Sequence, residues 1–310
     1  MSNRRLIFYN DARHYHIYCY DPPLTLEEAQ APIDEIAGTG VDTFAYGFGV
    51  GPTMFHNTKV GEIWGTRITN AGKTFSQDDP NNLYALSSWR AYENLKSLRD
   101  RGLDILEILI DRAHEKGLEF IGSLRTTHHA DPKRVDTEHT WQFRIDHPDW
   151  CLKGRGKHNF NWIYPEVRRE RLALVEEAVN RYDMDGFEVD YVFDPSYFEE
   201  GQVEQNTHIM TAFMRDVSDC VRQAADKRGR NMALGARVLP TLAANRAVGL
   251  DVPAWLKEGM LQFVVPTVYA DLQMDINLPF EWLLELAHPV GCEVYPALQA
   301  RVRTTPVRCD

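Results

Sequence analysis

The sequence predicts an α/β fold, a TIM (β/α)8-type barrel in a single domain over residues 1–310, on three observations. Short apolar runs alternate with helical segments, which is the pattern of a parallel sheet. Most of these runs are continuous, as expected for strands buried on both faces. No Gly-x-Gly-x-x-Gly motif follows the first strand, where the sequence reads Tyr9-Asn10-Asp11-Ala12-Arg13, so a dinucleotide-binding sheet loses its main support.

Seven strands are predicted, and a complete barrel needs eight. In chain order they are Leu6–Asn10, Thr43–Phe48, Leu118–Leu124, Gly186–Val192, Met232–Leu239, Gln262–Tyr269 and Glu293–Leu298. The residues after Leu298 are too few for a further helix and strand, because a barrel unit takes roughly 30 residues. We therefore expect the eighth strand to be missing, or supplied by sequence beyond Asp310. Alternatively, residues 301–305 or a partner chain cover the gap.

The helices between the strands have readable ends. Thr25-Leu26-Glu27-Glu28 is a capping box, which predicts a helix from there to Gly38. Apolar stripes predict further helices over residues 105–117, 165–182 and 209–221, and Pro165 suits the first helical position of the second.

Composition and charge exclude several classes of protein. Hydrophobic residues make up 44% and charged residues 25% of the 310 residues, as in globular proteins. A net charge of −11 without a basic patch argues against nucleic acid as a partner. No apolar run is long enough for a membrane helix. The first five residues lead directly into the first predicted strand, so we expect no signal peptide in the sequence as given, and a secretion signal already removed is the alternative. The five scattered cysteines predict reduced thiols in the cytoplasm, without a zinc site, and nothing predicts a cofactor.

Two predicted loops, about 49–87 and 126–163, are unusually long and follow carboxyl ends of strands. Barrel active sites lie at that face, and long structured loops in compact domains are usually functional. The loops hold Trp64, Trp141, Trp150 and Trp162. An exposed tryptophan there would stack on sugar rings, whereas a buried one would pack within its own loop.

The fourth predicted strand carries two acids on one face. Strand alternation places Glu188 and Asp190 together, opposite Phe187, Val189 and Tyr191. The apolar set suits the helix layer, so both carboxylates are predicted to point into the barrel, with Asp190 nearer the catalytic end. We expect Glu188 to be buried against Arg125 or Arg237, because buried charges are usually paired.

The segment from Arg181 to Tyr191 resembles the fourth-strand motif of bacterial glycosyl-hydrolase-like barrel proteins, the family-10-like group. Similar likenesses are found in Ala113-His114-Glu115-Lys116-Gly117, His147-Pro148-Asp149-Trp150 and Val264-Val265-Pro266-Thr267-Val268-Tyr269. The resemblance runs from about Leu103 to Leu298 and implies a barrel fold and a sugar substrate. The core of the motif is also similar to the fourth strand of the α-amylase superfamily. There the residue at the place of Asp190 is the nucleophile, although Glu188 stands where that superfamily has arginine.

Glycoside hydrolysis needs a second carboxyl group. The fifth strand ends without the acid that the α-amylase superfamily has there. Asp271, after the sixth strand, stands where α-galactosidase-like barrels place their acid, and it is our candidate acid/base. Its alternative role is a solvated loop residue or helix cap. We expect Asp190 and Asp271 to open into one pocket at a separation nearer the retaining than the inverting range, with Asp194 and Glu293 in reserve.

Further residues at the same rim are predicted to bind substrate. They are Asn10, Asp11, His14, Arg125, His128, His129, Glu188, Arg237, Tyr269 and Gln299. The arginines would either neutralise the buried acids or bind an anionic sugar such as a uronate or a sulfated unit.

The leading hypothesis is therefore a glycoside hydrolase that acts on an oligo- or polysaccharide. One alternative is a carbohydrate-binding barrel without catalysis. Another is a metal-dependent hydrolase that uses His14 and His16, although neither the fifth nor the sixth strand supplies the further histidine ligands. A sugar lyase would need a base and a cationic neutraliser in place of the acid pair.

Overall fold

The main sheet has seven parallel strands that lie side by side in chain order. The computed structural model describes residues 5–12, 16–51, 53–67, 83–127, 141–268 and 278–298. Its main-sheet strands are β1 (Ile7–Asn10), β2 (Thr43–Gly47), β6 (Glu119–Arg125), β7 (Gly186–Asp190), β8 (Ala233–Val238), β9 (Phe263–Pro266) and β10 (Glu293–Val294). All seven predicted strands are confirmed, and their observed ends differ from the predicted ones by at most four residues.

Helices connect these strands. They are α1 (Leu26–Asp34), α2 (Leu83–Asp100), α3 (Ile105–Glu115), α4 (Gln142–Asp146), α5 (Pro165–Arg181), α6 (Val203–Arg228), α7 (Leu242–Ala247), α8 (Val252–Lys257) and α9 (Glu281–Ala287). The capping box at Thr25 and the position of Pro165 at the start of α5 are both confirmed. Helix α1 ends at Asp34, four residues before Gly38, and the backbone continues in turns. Among the described helices, none is long and apolar enough to cross a bilayer.

The first long loop contains a small second sheet that the sequence analysis missed. Its strands are β3 (Gly49–Val50), β4 (Thr53–Met54) and β5 (Glu62–Ile63), of which β3 and β4 are antiparallel and β4 and β5 parallel. Each strand has only two residues, so none is long enough to show an alternating pattern.

The main sheet separates two apolar layers. Phe44, Phe120 and Phe187 belong to the large core between sheet and helices, whereas Ala45, Ile121 and Phe263 form a smaller cluster on the opposite face. The sheet curls around this inner face, because Arg237 on β8 lies over the ring of Tyr9 on β1, 3.9 Å from its centroid. At Gly235 on β8, a Cβ atom would come within 2.0 Å of the Phe263 ring, so only glycine leaves room for it.

The two outer strands of the curled sheet, β1 and β10, flank an open groove. A cavity of about 720 Å³ lies between Arg5, Leu6 and Ile7 on one side and residues 291–296 on the other. The Arg5 side chain reaches across one end, where it bonds to Glu119 and lies 3.9 Å from Glu293. Within the described residues the main sheet has seven strands. The origin of an eighth strand stays a prediction.

Candidate active site

Three neighbouring strands place four charged side chains on the inner face of the sheet. The register pairs Arg125 on β6 with Asp190 on β7, and Asp190 with Arg237 on β8. Glu188 lies one pair deeper, between Ser123 and Gly235. The parallel register therefore gathers two carboxylates and two guanidinium groups at the carboxyl ends of the strands.

Asp190 ends β7 and is buried. Its Oδ1 accepts a hydrogen bond of 2.8 Å from the backbone N–H of Val192, a local turn that fixes the orientation of the carboxylate. Its Oδ2 lies 3.8 Å from Nε of Arg125. One carboxylate oxygen is thus anchored to the backbone, and the other faces a cation.

Glu188 is buried against Arg237. Its Oε1 accepts hydrogen bonds from the Ser123 hydroxyl at 2.7 Å and from Nε of Arg237 at 3.1 Å, and Oε2 lies 3.3 Å from Nη2 of Arg237. Burial raises the pKa of Glu188, and the charge of Asp190 acts in the same direction, whereas Arg237 and Ser123 oppose the change. Burial disfavours the charged form of Arg237, but the neighbouring acids outweigh it and raise the pKa of Arg237.

Arg125 links Asp190 to the first strand. Its guanidinium bonds to Asp11, which directly follows β1, and lies 4.5 Å from the centre of the Phe193 ring. Ala12, the next residue after Asp11, is non-glycine but has φ +40°, a conformation that is strained for most residues and is found often at functional sites. One guanidinium thus contacts both Asp11 and Asp190, which brings the end of β1 beside the end of β7 in the site.

The structure therefore brings together five of the predicted site residues: Asp11, Arg125, Glu188, Asp190 and Arg237. Arg125 and Arg237 were the two partners expected for Glu188, and the structure pairs it with Arg237. Several other predicted residues lie outside the described part of the chain, namely His14, His128, His129, Tyr269, Asp271 and Gln299. The pairing of Asp190 with Asp271 thus stays a prediction.

Three other predicted residues have different surroundings. Asn10 is buried, and strand alternation places it on the opposite face from Tyr9. Glu293 as a reserve acid is wrong, because it begins β10 and lies near Arg5 and Glu119, at the amino ends of the strands. Asp194 follows β7, where its carbonyl accepts hydrogen bonds from Thr127 and Asn159.

The structure also corrects the expected environment of His16. This side chain is fully buried, and its Nε2 lies 3.1 Å from the carbonyl oxygen of Glu28 on α1. Burial lowers the pKa of His16 to about 4. His16 therefore packs against the helix layer, which counts against its use as a metal ligand. The described residues contain no group of three or more potential metal ligands.

The loop tryptophans are mostly packing residues. Trp64, Trp141 and Trp162 are buried, so for these three the packing alternative holds and not the stacking of sugar rings. Trp150 is partly exposed, but it stacks between His147 and Tyr164 of the same loop region.

Three residues around the charged cluster were missed in the sequence. Ser123 bonds to Glu188, Tyr9 lies against Arg237, and Phe193 lies against Arg125. Ser123 could have been found, since it is two residues before Arg125 and so shares its face of the strand. The roles of Tyr9 and Phe193 depend on the curl of the sheet and on a loop, and neither is visible in a periodic pattern.

Comparison with known proteins fits this arrangement. Residues 69–218, which include β6, β7 and their acids, match the model of the family described as glycosyl hydrolase-like 10. The resemblance to the glycosyl-hydrolase-like family is confirmed. Among curated proteins, glycosyl hydrolase YngK of Bacillus subtilis (strain 168) is 24% identical over 225 residues. This match takes in 60% of the present chain and 42% of the relative, so the chain spans less than half the length of that relative.

Solved structures support the fold. The α-L-fucosidase isoenzyme 2 from Paenibacillus thiaminolyticus superposes with a TM-score of 0.50 at 12% identity, covering 94% of this chain and 40% of that one. A cycloisomaltooligosaccharide glucanotransferase from Paenibacillus sp. also gives 0.50, at 14% identity, with coverages of 94% and 38%. At these identities the likeness concerns the α/β barrel fold alone.

Proposed function

We propose that this protein is a glycoside hydrolase that acts on an oligo- or polysaccharide. One observation carries the proposal: Asp190 ends β7 on the inner face of a barrel-like sheet, with its carboxylate anchored by the Val192 N–H and facing Arg125. In barrel enzymes the catalytic groups project from strand ends at this face. The family match over the same strand supports a role in carbohydrate chemistry.

The proposed chemistry uses Asp190 as nucleophile or base. A carboxylate in that role must be ionised and must aim one oxygen at the anomeric carbon or at a water molecule. The Val192 N–H holds Oδ1, and Oδ2 lies 3.8 Å from Nε of Arg125. We assign the complementary role of acid/base to Asp271. A separation of the two carboxyl groups near 5–5.5 Å would imply retention and one near 6.5–9.5 Å inversion.

Four described residues support Asp190. Arg237 compensates the charge of Glu188 below Asp190, and Arg125 holds Asp11 and Asp190 at the mouth of the site. Asp11, whose side chain is 21% exposed, is placed to accept hydrogen bonds from sugar hydroxyl groups. The proposal also places this reaction, the breakdown of a polysaccharide, in the cytoplasm. The free thiols of the described cysteines would persist there.

The test is an Asp190→Asn variant assayed beside the wild type on a broad panel of oligo- and polysaccharides. We expect a loss of at least about 10³-fold in kcat/KM, because asparagine can neither attack nor accept a proton. Asp271→Asn should be similarly impaired. Asp100→Asn is a matched control, since Asp100 forms a surface pair with Lys96 on α2.

Two outcomes would count against the proposal. Full activity of Asp190→Asn would exclude Asp190 as the reacting carboxylate. Binding of sugars without turnover by the wild type would favour the carbohydrate-binding barrel instead.

A further inference from the structure

The described part of the site carries more acids than bases. Asp11, Glu188 and Asp190 contribute three carboxylates, and Arg125 and Arg237 contribute two guanidinium groups. Glu188 and Asp190 are buried, and both arginine side chains are at most 12% exposed. Bulk water therefore screens these charges poorly, and their balance acts directly on any group placed among them.

Arg237 is engaged on its edge and on its face. Nε and Nη2 donate to Glu188, and the guanidinium plane lies 3.9 Å from the centre of the Tyr9 ring. A bidentate grip on a substrate carboxylate through the Nε–Nη2 edge would use the same donors. An incoming anion on that edge would thus have to displace Glu188. Because Glu188 is buried, its displaced carboxylate would have no solvent to hydrate it.

Arg125 is engaged in a similar way. It bonds to Asp11, its Nε lies 3.8 Å from Asp190, and one face lies 4.5 Å from the Phe193 ring centre. A second anion on this guanidinium would lie close to both carboxylates. Both arginines thus neutralise the acids of the site itself.

From this pairing we propose that the sugar ring seated over Asp190 is uncharged: a neutral hexose or deoxyhexose unit, and not a uronate or a ring sulfated at its reacting end. The inference rests on the proposed function and adds the substrate class. A ring carboxylate in that position would face Asp11, Asp190 and Glu188 with no uncommitted guanidinium among the described groups to compensate it.

The experiment compares matched pairs of 4-nitrophenyl substrates that differ only at C6: glucoside with glucuronide, and galactoside with galacturonide, each as both anomers. We expect kcat/KM to be at least about 30-fold higher for the neutral member of any pair that is hydrolysed, the effect of one extra negative charge beside partly buried carboxylates. A uronide hydrolysed as fast as its neutral partner, or faster, would overturn the inference while upholding glycosidase activity.

An Asp11→Asn variant tests whether the charge balance is the cause. Removing this carboxylate leaves two acids against two arginines and frees one edge of Arg125, so the preference for the neutral sugar should narrow by about tenfold or more. Asp21→Asn is the matched control, because Asp21 pairs with Arg90 and its side chain is 81% exposed. An unchanged preference in Asp11→Asn would refute the charge argument.

Binding separates this inference from the proposed catalysis. If no substrate is turned over, the proposed hydrolase activity fails, and calorimetry with Asp190→Asn and wild type on neutral oligosaccharides and oligouronides of equal length decides the substrate class. Tighter binding of the neutral series supports the inference. Tighter binding of the oligouronides, or binding of neither series, overturns it.

Discussion

The buried pair of Glu188 and Arg237 is asymmetric, because only the carboxylate can lose its charge at an accessible pH. Glu188 can take up a proton, and burial already raises its pKa, whereas the arginine stays protonated. Removing Arg237 therefore has different consequences from removing Glu188. The carboxylate left behind can neutralise itself, but the guanidinium left behind cannot.

Arg237→Met should accordingly make the stability of the protein depend on pH. Without Arg237 the folded-state pKa of Glu188 rises further above its unfolded value near 4.3. Stability is then fully present at low pH and is lost as pH rises through the folded-state pKa, by up to about 1.4 kcal/mol per pH unit. Urea unfolding of wild type and variant between pH 4.5 and 8 measures this slope, and parallel curves for the two proteins would contradict it.

Glu188→Gln should lower stability by about 3 kcal/mol at pH 7, because it leaves a buried arginine without its main counter-charge. The side chain at residue 188 of this variant does not titrate, so the loss of stability caused by the substitution should vary little with pH. Restored stability in the double variant with Arg237→Met would show that the uncompensated charge is the cause, since cavity effects alone would add.

At the scale of elements, α5 is fastened to the first long loop through Glu177. This carboxylate accepts hydrogen bonds from the Thr58 hydroxyl and the Lys59 N–H, and lies 3.5 Å from Nε2 of the buried His56. Burial by itself would raise the pKa of Glu177, but His56, Thr58 and the Lys59 N–H together lower it to about 2. The loop that carries the small sheet thus depends on one ionised side chain.

We expect Glu177→Gln to destabilise the protein by about 2 kcal/mol at neutral pH, less than the full pKa difference implies because the loop is partly solvated. The folded-state pKa is the lower one, so this contribution is present above the unfolded-state value and is lost as pH falls through about 4 towards 2. Unfolding by guanidinium chloride between pH 3 and 7 should show that the stability difference between wild type and variant becomes smaller as the pH falls. Glu176→Gln, exposed on the same helix, is the control.

Whether a strand could be predicted depended on the pattern that it leaves in the sequence. Most of the main strands were recognisable because parallel strands buried on both faces leave continuous apolar runs. The small sheet was not, since its two-residue strands are held by loop contacts such as that of Glu177. In the site, alternation alone placed Glu188 and Asp190 on one face. Register sets Arg237 beside Asp190, and the Arg237 side chain reaches one residue pair deeper to Glu188, which a sequence pattern does not show. Arg125 on β6 contacts Asp11, which follows β1, and these two strands are not neighbours in the sheet. The contact therefore depends on the curl of the sheet.

At the scale of the whole molecule, the two outer strands of the curled sheet differ as pairing edges. On β10 and its continuation, the N–H groups of Glu293, Tyr295 and Ala297 donate towards β9, so Pro296 turns to the open side and has no N–H to offer. Proline at such a place discourages strand addition. On the other side, β1 and the residue before it carry exposed apolar side chains: Leu6 is 55% and Phe8 39% exposed. Within the described residues, β1 pairs only with β2.

We therefore predict that self-association of this chain proceeds through the β1 edge, because an exposed apolar edge strand is a template for pairing with another chain. Leu6→Lys should reduce concentration-dependent association by at least about threefold, since a charge on an edge strand opposes pairing. Val60→Lys is the matched control, because Val60 is 54% exposed but lies in the first long loop. Dynamic light scattering over a concentration series measures the effect. Equal association of the two variants would show that the β1 edge is not the contact.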